Sequence, residues 1–304
     1  MKELVVLSGK GGTGKTSLTA AIAALARPVM LVDADVDAPN LHLVTQPCVQ
    51  HSQDFVAGSE AVIDPERCIG CGQCARVCRF EAIHPGADNV DYGPLQTVDP
   101  VGCEGCGRCA TRCPAGAIRM EPTTCGSWYF STTEYGPMVH AGLLPGAENS
   151  GKLVSLVRSE ARDRATETAV NLILTDGPPG IGCPVIASLS GAHLVLIVCE
   201  PSPSGVHDLR SVLTLTHHFG VPATVCINKW DLNADATQSL ESELAAEGIP
   251  VAGRIRYGEA FSRAQRQGID LIALGDVPEV AEVSAVWDHV NQMLQQNQRL
   301  PIHQ

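Results

Sequence analysis

Aromatic side chains are scarce. Three Trp, four Tyr and five Phe make up only 4% of the 304 residues. The core must therefore be filled by Ala, Val, Leu and Gly, which suits helices packed closely on a parallel sheet. Basic charge is also short, 21 Lys and Arg against 33 Asp and Glu, for a net charge of −12. That balance argues against a general nucleic-acid or anionic-membrane surface. No apolar run nears the roughly 18–20 residues that a membrane-spanning helix needs. No secretory leader precedes the first strand pattern, so a cytoplasmic location is expected.

Cysteine, by contrast, is abundant. Eight of the 13 cysteines sit in two dense clusters of a chain with no export signal. Such spacing reads as metal binding rather than as a disulfide framework. The length and the 44% hydrophobic content allow one large α/β domain plus a small module.

The chain is organised around its start. An apolar run, Met1 to Leu7, leads into Ser8-Gly9-Lys10-Gly11-Gly12-Thr13-Gly14-Lys15-Thr16, and SLTAAIAALA follows. Strand, glycine-rich loop and helix start stand in the order that makes G-x-x-x-x-G-K-[ST] a phosphate-binding loop. Glycines let backbone N–H groups face a phosphate with no Cβ in the way, and the helix adds its positive end. Lys15 is expected on the β- and γ-phosphates and Thr16 on Mg²⁺. Farther on, NLILTDGPPG is a hydrophobic strand ending at Asp176, placed to bind Mg²⁺ and to sense the γ-phosphate through Gly177 to Gly180. VMLVDADVDAPNLHL, residues 29–43, reads as a buried strand whose tip carries Asp33, Asp35 and Asp37 on one side.

KGGTGKT resembles the deviant Walker A loop of the MinD, ParA, Mrp and nitrogenase iron protein group. The resemblance implies an ATPase that forms an ATP-sandwiched homodimer, or a heterodimer with a homologue. Lys10 would then reach the partner's nucleotide. It makes Lys10, Lys15, Asp35 and Asp176 the catalytic candidates and Gly9 through Thr16 the nucleotide cradle. It also implies Mg²⁺ at Thr16, Asp37 and Asp176. Whether Asp35 or Asp37 orients the attacking water is left open. Asn228, at the end of ATVCINKWDLN, is expected at the adenine edge. Lys229 and Asp231 keep a guanine reading open, because N-K-x-D is also a guanine-reading pattern.

The cysteines form an internal repeat. Cys68-x-x-Cys71-x-x-Cys74-x-x-x-Cys78 recurs as Cys103-x-x-Cys106-x-x-Cys109-x-x-x-Cys113-Pro114. Two copies are the bacterial ferredoxin signature for two [4Fe–4S] clusters. By that pattern one cluster takes Cys68, Cys71, Cys74 and Cys113, and the other Cys103, Cys106, Cys109 and Cys78. Gly72 and Gly107 occupy matching turn positions, and Arg79 stands where the second copy has Pro114. Zinc is the alternative occupant.

The expected fold is α/β: a mostly parallel P-loop NTPase sheet flanked by helices, with an inserted bacterial-ferredoxin-like α+β module. The expected domains are 1–59 with 123–304, and an insertion over 60–122. HPGADNVDYGPLQTVDPVG between the repeats reads as a loop or hairpin extension. Cys125 is open between a buried hydrophobe and a redox or metal residue. Cys183 is open between a dimer-bridging cluster ligand, a redox-active thiol and a small packed residue. The tail carries an apolar stripe of Val283, Val286, Trp287, Val290 and Leu294. Its one Arg, at 299, and its lack of Lys make a membrane anchor unexpected. Together these features predict an ATPase whose dimeric switch is coupled to electron transfer to a redox partner protein. The alternatives are an Mrp-like iron–sulfur or metallocentre assembly factor and a redox-sensing ParA/MinD-like positioning switch.

Overall fold

A computed structural model describes residues 1–89 and 93–296. In chain order the elements are β1 (Lys2–Ser8), α1 (Lys15–Ala26), β2 (Met30–Asp33), α2 (His42–Thr45) and β3 (Cys48–Ile63). Then come α3 (Gln73–Val77), β4 (Ile83–Asn89), β5 (Gly93–Val98), α4 (Arg108–Arg112), β6 (Ile118–Thr133) and β7 (Gly136–Leu143). The chain continues through α5 (Ser150–Glu167), β8 (Leu172–Pro179), α6 (Cys183–Leu189), β9 (Leu194–Cys199) and α7 (Pro203–His218). It ends with β10 (Ala223–Asn228), α8 (Ala234–Ala246), β11 (Val251–Ile255), α9 (Glu259–Gln267) and α10 (Pro278–Gln296).

The fold is α/β, with a mostly parallel sheet in the order β11-β10-β9-β1-β8-β2-β7-β6-β3. The pairs β1–β8, β1–β9, β9–β10, β10–β11, β2–β8 and β2–β7 are all parallel. Central strands buried on both faces need continuous apolar runs, and LVLIVC of β9 is buried throughout. One core cluster lies on the α1 and α10 side and holds Val283, Val286, Val290 and Leu294 of the predicted stripe, with Trp287 packed against it. The other lies against α6, α7 and α8.

Contacts divide the chain into two compact units, one of residues 1–53, 128–142 and 150–304, the other of residues 54–127 and 143–149. The second is wider than the 60–122 span drawn from the cysteine repeat, because β3 and β6 extend well beyond the repeat. In the stretch between the repeats, β4 and β5 pair antiparallel. The strand expected over 29–43 ends at Asp33, so the three aspartates do not share one side of an extended tip. Past Asp33 the chain turns and then enters α2. Arg299 lies outside the described residues. No helix among the described residues is long and apolar enough to cross a membrane.

One buried ion cluster joins the sheet to α5. Glu3 of β1, 2% exposed, accepts from Arg158 Nε at 2.7 Å and from Arg162 Nη2 at 2.8 Å. Removing one partner of a buried pair leaves an uncompensated charge. Glu3→Ala is expected to cost about 3–5 kcal/mol in urea unfolding. Arg210→Ala, which breaks exposed pairs with Glu243 and Glu247, should cost less than about 1 kcal/mol.

Candidate functional site

The site assembles at the carboxyl ends of the parallel strands, where open α/β sheets place their ligands. Between β1 and α1 the glycine loop makes a tight turn. Gly14 caps α1 with φ of 89°, a conformation that favours glycine. A Cβ at Gly9 would lie 2.3–2.8 Å from Asp208 of α7, partly against backbone, so this position also requires glycine. Three loop carbonyls are tied down. Ser8 Oγ donates to Lys10 O at 2.8 Å, Lys229 Nζ to Gly12 O at 3.1 Å and Asn228 Nδ2 to Thr13 O at 2.7 Å. Among the described residues, the N–H groups of Gly11, Gly12, Thr13 and Gly14 have no acceptor. A loop with its carbonyls held and its N–H groups free is a nest for an anion.

Around this nest lies an open cleft of about 520 Å³, lined by the loop and the start of α1, by Asp35, Asp37, Ala38, Asn40 and Val44, by Pro178, Pro179 and Pro184, and by Gln265. Its floor is charged. Asp176 is fully buried and accepts from Thr16 Oγ1 at 2.6 Å and Thr19 Oγ1 at 3.0 Å. Lys15 Nζ lies 2.9 Å from Asp176 and 3.9 Å from Asp35. These contacts pair charge, but among the described residues Lys15 Nζ has no directed hydrogen-bond partner, and Thr13 Oγ1 is likewise buried without one. Both are groups a phosphate would satisfy.

The structure separates the three aspartates. Asp33 is fully buried and braces the following turn, accepting from the N–H groups of Asp35 and Leu41 at 3.1 Å each. Burial and the nearby Asp176 push its carboxyl up to about 8, against the pull of Lys15. Asp35 is buried beside Lys15; burial raises its pKa and Lys15 opposes the shift. Asp37 is exposed at the cleft wall. Asn228, expected at the base edge, is buried under the loop, with its amide nitrogen on Thr13 O and its amide oxygen accepting from Lys229 N at 3.0 Å. Asp231 accepts from Tyr257 N at 2.6 Å. Lys10 stands at the outer turn, 3.3 Å from Glu200. Glu200 escaped notice in the sequence; an acidic residue directly after the apolar run VLIVC, at a strand's carboxyl end, was the available signal.

In the second unit the thiols sort into two cavities. One is lined by Cys68, Cys71, Cys74 and Cys113, the other by Cys78, Cys103, Cys106 and Cys109. Cys74 and Cys109 are buried, and burial raises both thiol pKa values. Backbone N–H groups reach two sulfurs, Ala61 N to Cys103 at 3.5 Å and Ala117 N to Cys113 at 3.3 Å. Gly72 and Gly107 cap α3 and α4 in matching left-handed conformations, φ 63° and 69°. Among the described residues, no three His, Cys, Asp or Glu side chains converge on a single metal ion. Cys125 is buried with its thiol on Ala57 O at 2.6 Å, and Cys183 is exposed at the start of α6.

Residues 4–272 match the CobQ/CobB/MinD/ParA nucleotide binding domain. The chain belongs to this family. An uncharacterized protein of Methanocaldococcus jannaschii is 33% identical over 235 residues, 76% of this chain and 79% of the relative. A second uncharacterized protein of that organism is 25% identical over 239 residues, 77% and 82% of the two chains. Among solved structures, the cell division ATPase MinD of Pyrococcus furiosus aligns over 96% of this chain and 99% of its own, with TM-score 0.57 and 17% identity. MinD of Pyrococcus horikoshii in complex with Mg-ADP aligns over 98% and 99%, with TM-score 0.58 and 14% identity. These likenesses place the fold within the family.

The raised carboxyl of Asp33 has a consequence for stability. Unfolded, it ionises near 3.8; folded, it holds its proton to about 8. Between those values the folded state binds more protons, so stability falls as pH rises. In nucleotide-free, Mg²⁺-free protein the urea midpoint should drop from pH 5 to pH 8. The Asp33 share of that slope is at most about 1.4 kcal/mol per pH unit. Asp33→Asn should flatten the profile, and an unchanged slope would refute the assignment.

Proposed function

We propose that this chain is an ATP-binding and ATP-hydrolysing iron–sulfur protein, in which a dimeric nucleotide switch is coupled to electron transfer to a partner protein. The observation that carries the reading is the sorting of eight ferredoxin-spaced thiols into two cavities of four, in a chain that also holds a complete phosphate loop.

On the nucleotide side, Lys15 and the free N–H groups of the loop take the phosphates, and Thr16 and Asp176 hold Mg²⁺, with Asp37 at the rim. Two observations support this: the Lys15 ammonium without a directed partner, and the buried Asp176 carboxylate that receives the Thr16 hydroxyl and lies against Lys15. Asp35, beside Lys15 in the lining of the cleft, would orient the attacking water. Gly177, within β8, would pass γ-phosphate occupancy to β1. A Cβ there would meet Leu7 Cδ2 at 2.4 Å and Val6 O at 2.9 Å, so any shift of this turn is felt by β1.

On the thiol side, Cys68, Cys71, Cys74 and Cys113 would hold one [4Fe–4S] cluster, and Cys78, Cys103, Cys106 and Cys109 the other. The cavities fit such a group, because a cube offers four separate iron corners to thiolates spread around it rather than one point of convergence. Such clusters supply one-electron transfer when bound. The chain wraps them with apolar Ile63, Ile83 and Ile118 and directs N–H groups at Cys103 and Cys113, contacts of the kind that set cluster potentials. A second reading, a MinD-like positioning switch whose clusters report redox state, is favoured by the structural likeness to MinD. An assembly factor would instead release its clusters to an apo-protein.

Protein made without oxygen is expected to carry about eight iron atoms per chain and two cluster signals in EPR. Cys113→Ser should lose or convert one signal and leave the other. Electron delivery from the reduced protein to an acceptor should change at least severalfold with MgATP. Equal rates would leave the positioning-switch reading in its place.

A further inference from the structure

Glu200, one residue past β9, is gripped by two lysines from its own chain. Lys10 Nζ lies 3.3 Å from one carboxylate oxygen, and Lys229 Nζ hydrogen-bonds the other. Lys10 Nζ also donates to Ser204 Oγ, in the first turn of α7, at 3.2 Å. Lys229 Nζ also holds Gly12 O at 3.1 Å. The outer turn of the phosphate loop, from Lys10 to Gly12, is therefore tied to a single carboxylate. Burial works against ionisation of Glu200, but the two lysines outweigh it and hold its pKa below the usual carboxylate value. The carboxylate is charged at neutral pH.

An ammonium committed to Glu200 and Ser204 cannot at the same time reach out to a second copy of the chain. The two placements of Lys10 are mutually exclusive, as the two states of a switch must be. The Glu200 side chain is 18% exposed and that of Lys10 33%, so the contact is only partly screened by water and still open to exchange.

We propose that Glu200, with Ser204, is a positioning residue that stores Lys10 in cis. Nucleotide-driven pairing of two copies then requires the Lys10 ammonium to leave Glu200 for the nucleotide phosphates bound by the partner. The latch sets the threshold for association, so that an empty or weakly loaded chain stays single. This rests on the reading of the chain as an ATP-sandwiched dimer.

The test is sedimentation velocity of the full-length chain, prepared without oxygen, with Mg²⁺ and a non-hydrolysable ATP analogue over a protein dilution series. A fluorescent-nucleotide titration at low protein concentration runs in parallel. Glu200→Gln should move the monomer–dimer midpoint about fivefold lower in protein concentration, the upper range for a partly exposed ion pair. Ser204→Ala leaves Lys229 untouched and should shift it in the same direction by about twofold. Lys10→Ala should abolish association, and Glu200→Gln combined with Lys10→Ala should match it. Wild-type protein that binds the analogue and pairs, while neither Glu200→Gln nor Ser204→Ala pairs more tightly, overturns the latch alone. A loss of nucleotide affinity in Glu200→Gln that accounts for its association also overturns it, making Glu200 a brace of the loop. Wild-type protein that binds no nucleotide, or binds it and never pairs, overturns the dimer reading and the latch with it.

Discussion

One buried ammonium faces three buried carboxylates. Lys15 lies 2.9 Å from Asp176 and 3.9 Å from Asp35, and Asp33 presses on the same region from beneath. Like charges held together in a dry place are costly, and a single cation does not balance three anions. The protein meets the cost in three ways. Asp33 takes two backbone N–H groups and keeps its proton near neutrality; Asp176 takes two threonine hydroxyls; Asp35 stays at the edge of the cleft. The Asp176 bonds tie β8 to α1, and strand pairing sets Asp33 of β2 beside Asp176, so the charge problem and the mechanical centre of the site coincide.

Close backbone approach keeps that centre rigid. Gly9 lets α7 lie against the loop, Gly14 lets Asn228 sit beneath it, and Gly177 lets the end of β8 pass along β1. At Gly9 and Gly177 a Cβ would come within about 2.9 Å of neighbouring backbone, nearer than a core can absorb by small shifts, and at Gly14 it would meet the Asn228 amide nitrogen at 2.5 Å. Asn228 and Lys229, adjacent at the end of β10, hold consecutive loop carbonyls. That arrangement leaves the loop N–H groups free, and it makes the end of β10 part of the phosphate site rather than only a boundary of it.

The cysteine-bearing unit is built on a different economy. Its buried core is Ala61, Cys74, Ile83, Cys109 and Ile118, with three more cysteines among the partly buried neighbours. So little aliphatic surface cannot offset the entropy of ordering the segment. Thiols carry much of the interior instead, and under the function proposed here whatever they bind is part of the fold itself.

Much of this was legible beforehand, because it depends on local spacing. The phosphate loop is a contiguous run whose glycines and Lys15 have one workable conformation. The cysteine repeat states its own periodicity, and the strand that carries Asp176 shows in its hydropathy, though β8 runs on to Pro179 rather than ending at Asp176. The stripe of α10 was readable for the same reason, since a helix period needs only neighbouring residues. The division of labour among Asp33, Asp35 and Asp37 was not readable. An alternation of carboxylates looks the same whether the strand continues or, as here, stops at Asp33 and turns its side chain into the interior. Nor could the sequence show Glu200 between Lys10 and Lys229, or Asn228 under Thr13, pairs 190, 29 and 215 residues apart. Residues alone determined which chemical groups the protein owns and the local turns that present them. Which groups share a charge, a proton or a hydrogen bond was decided only when parallel strands brought their carboxyl ends to one edge, because those energies depend on distance in space and on exclusion of water.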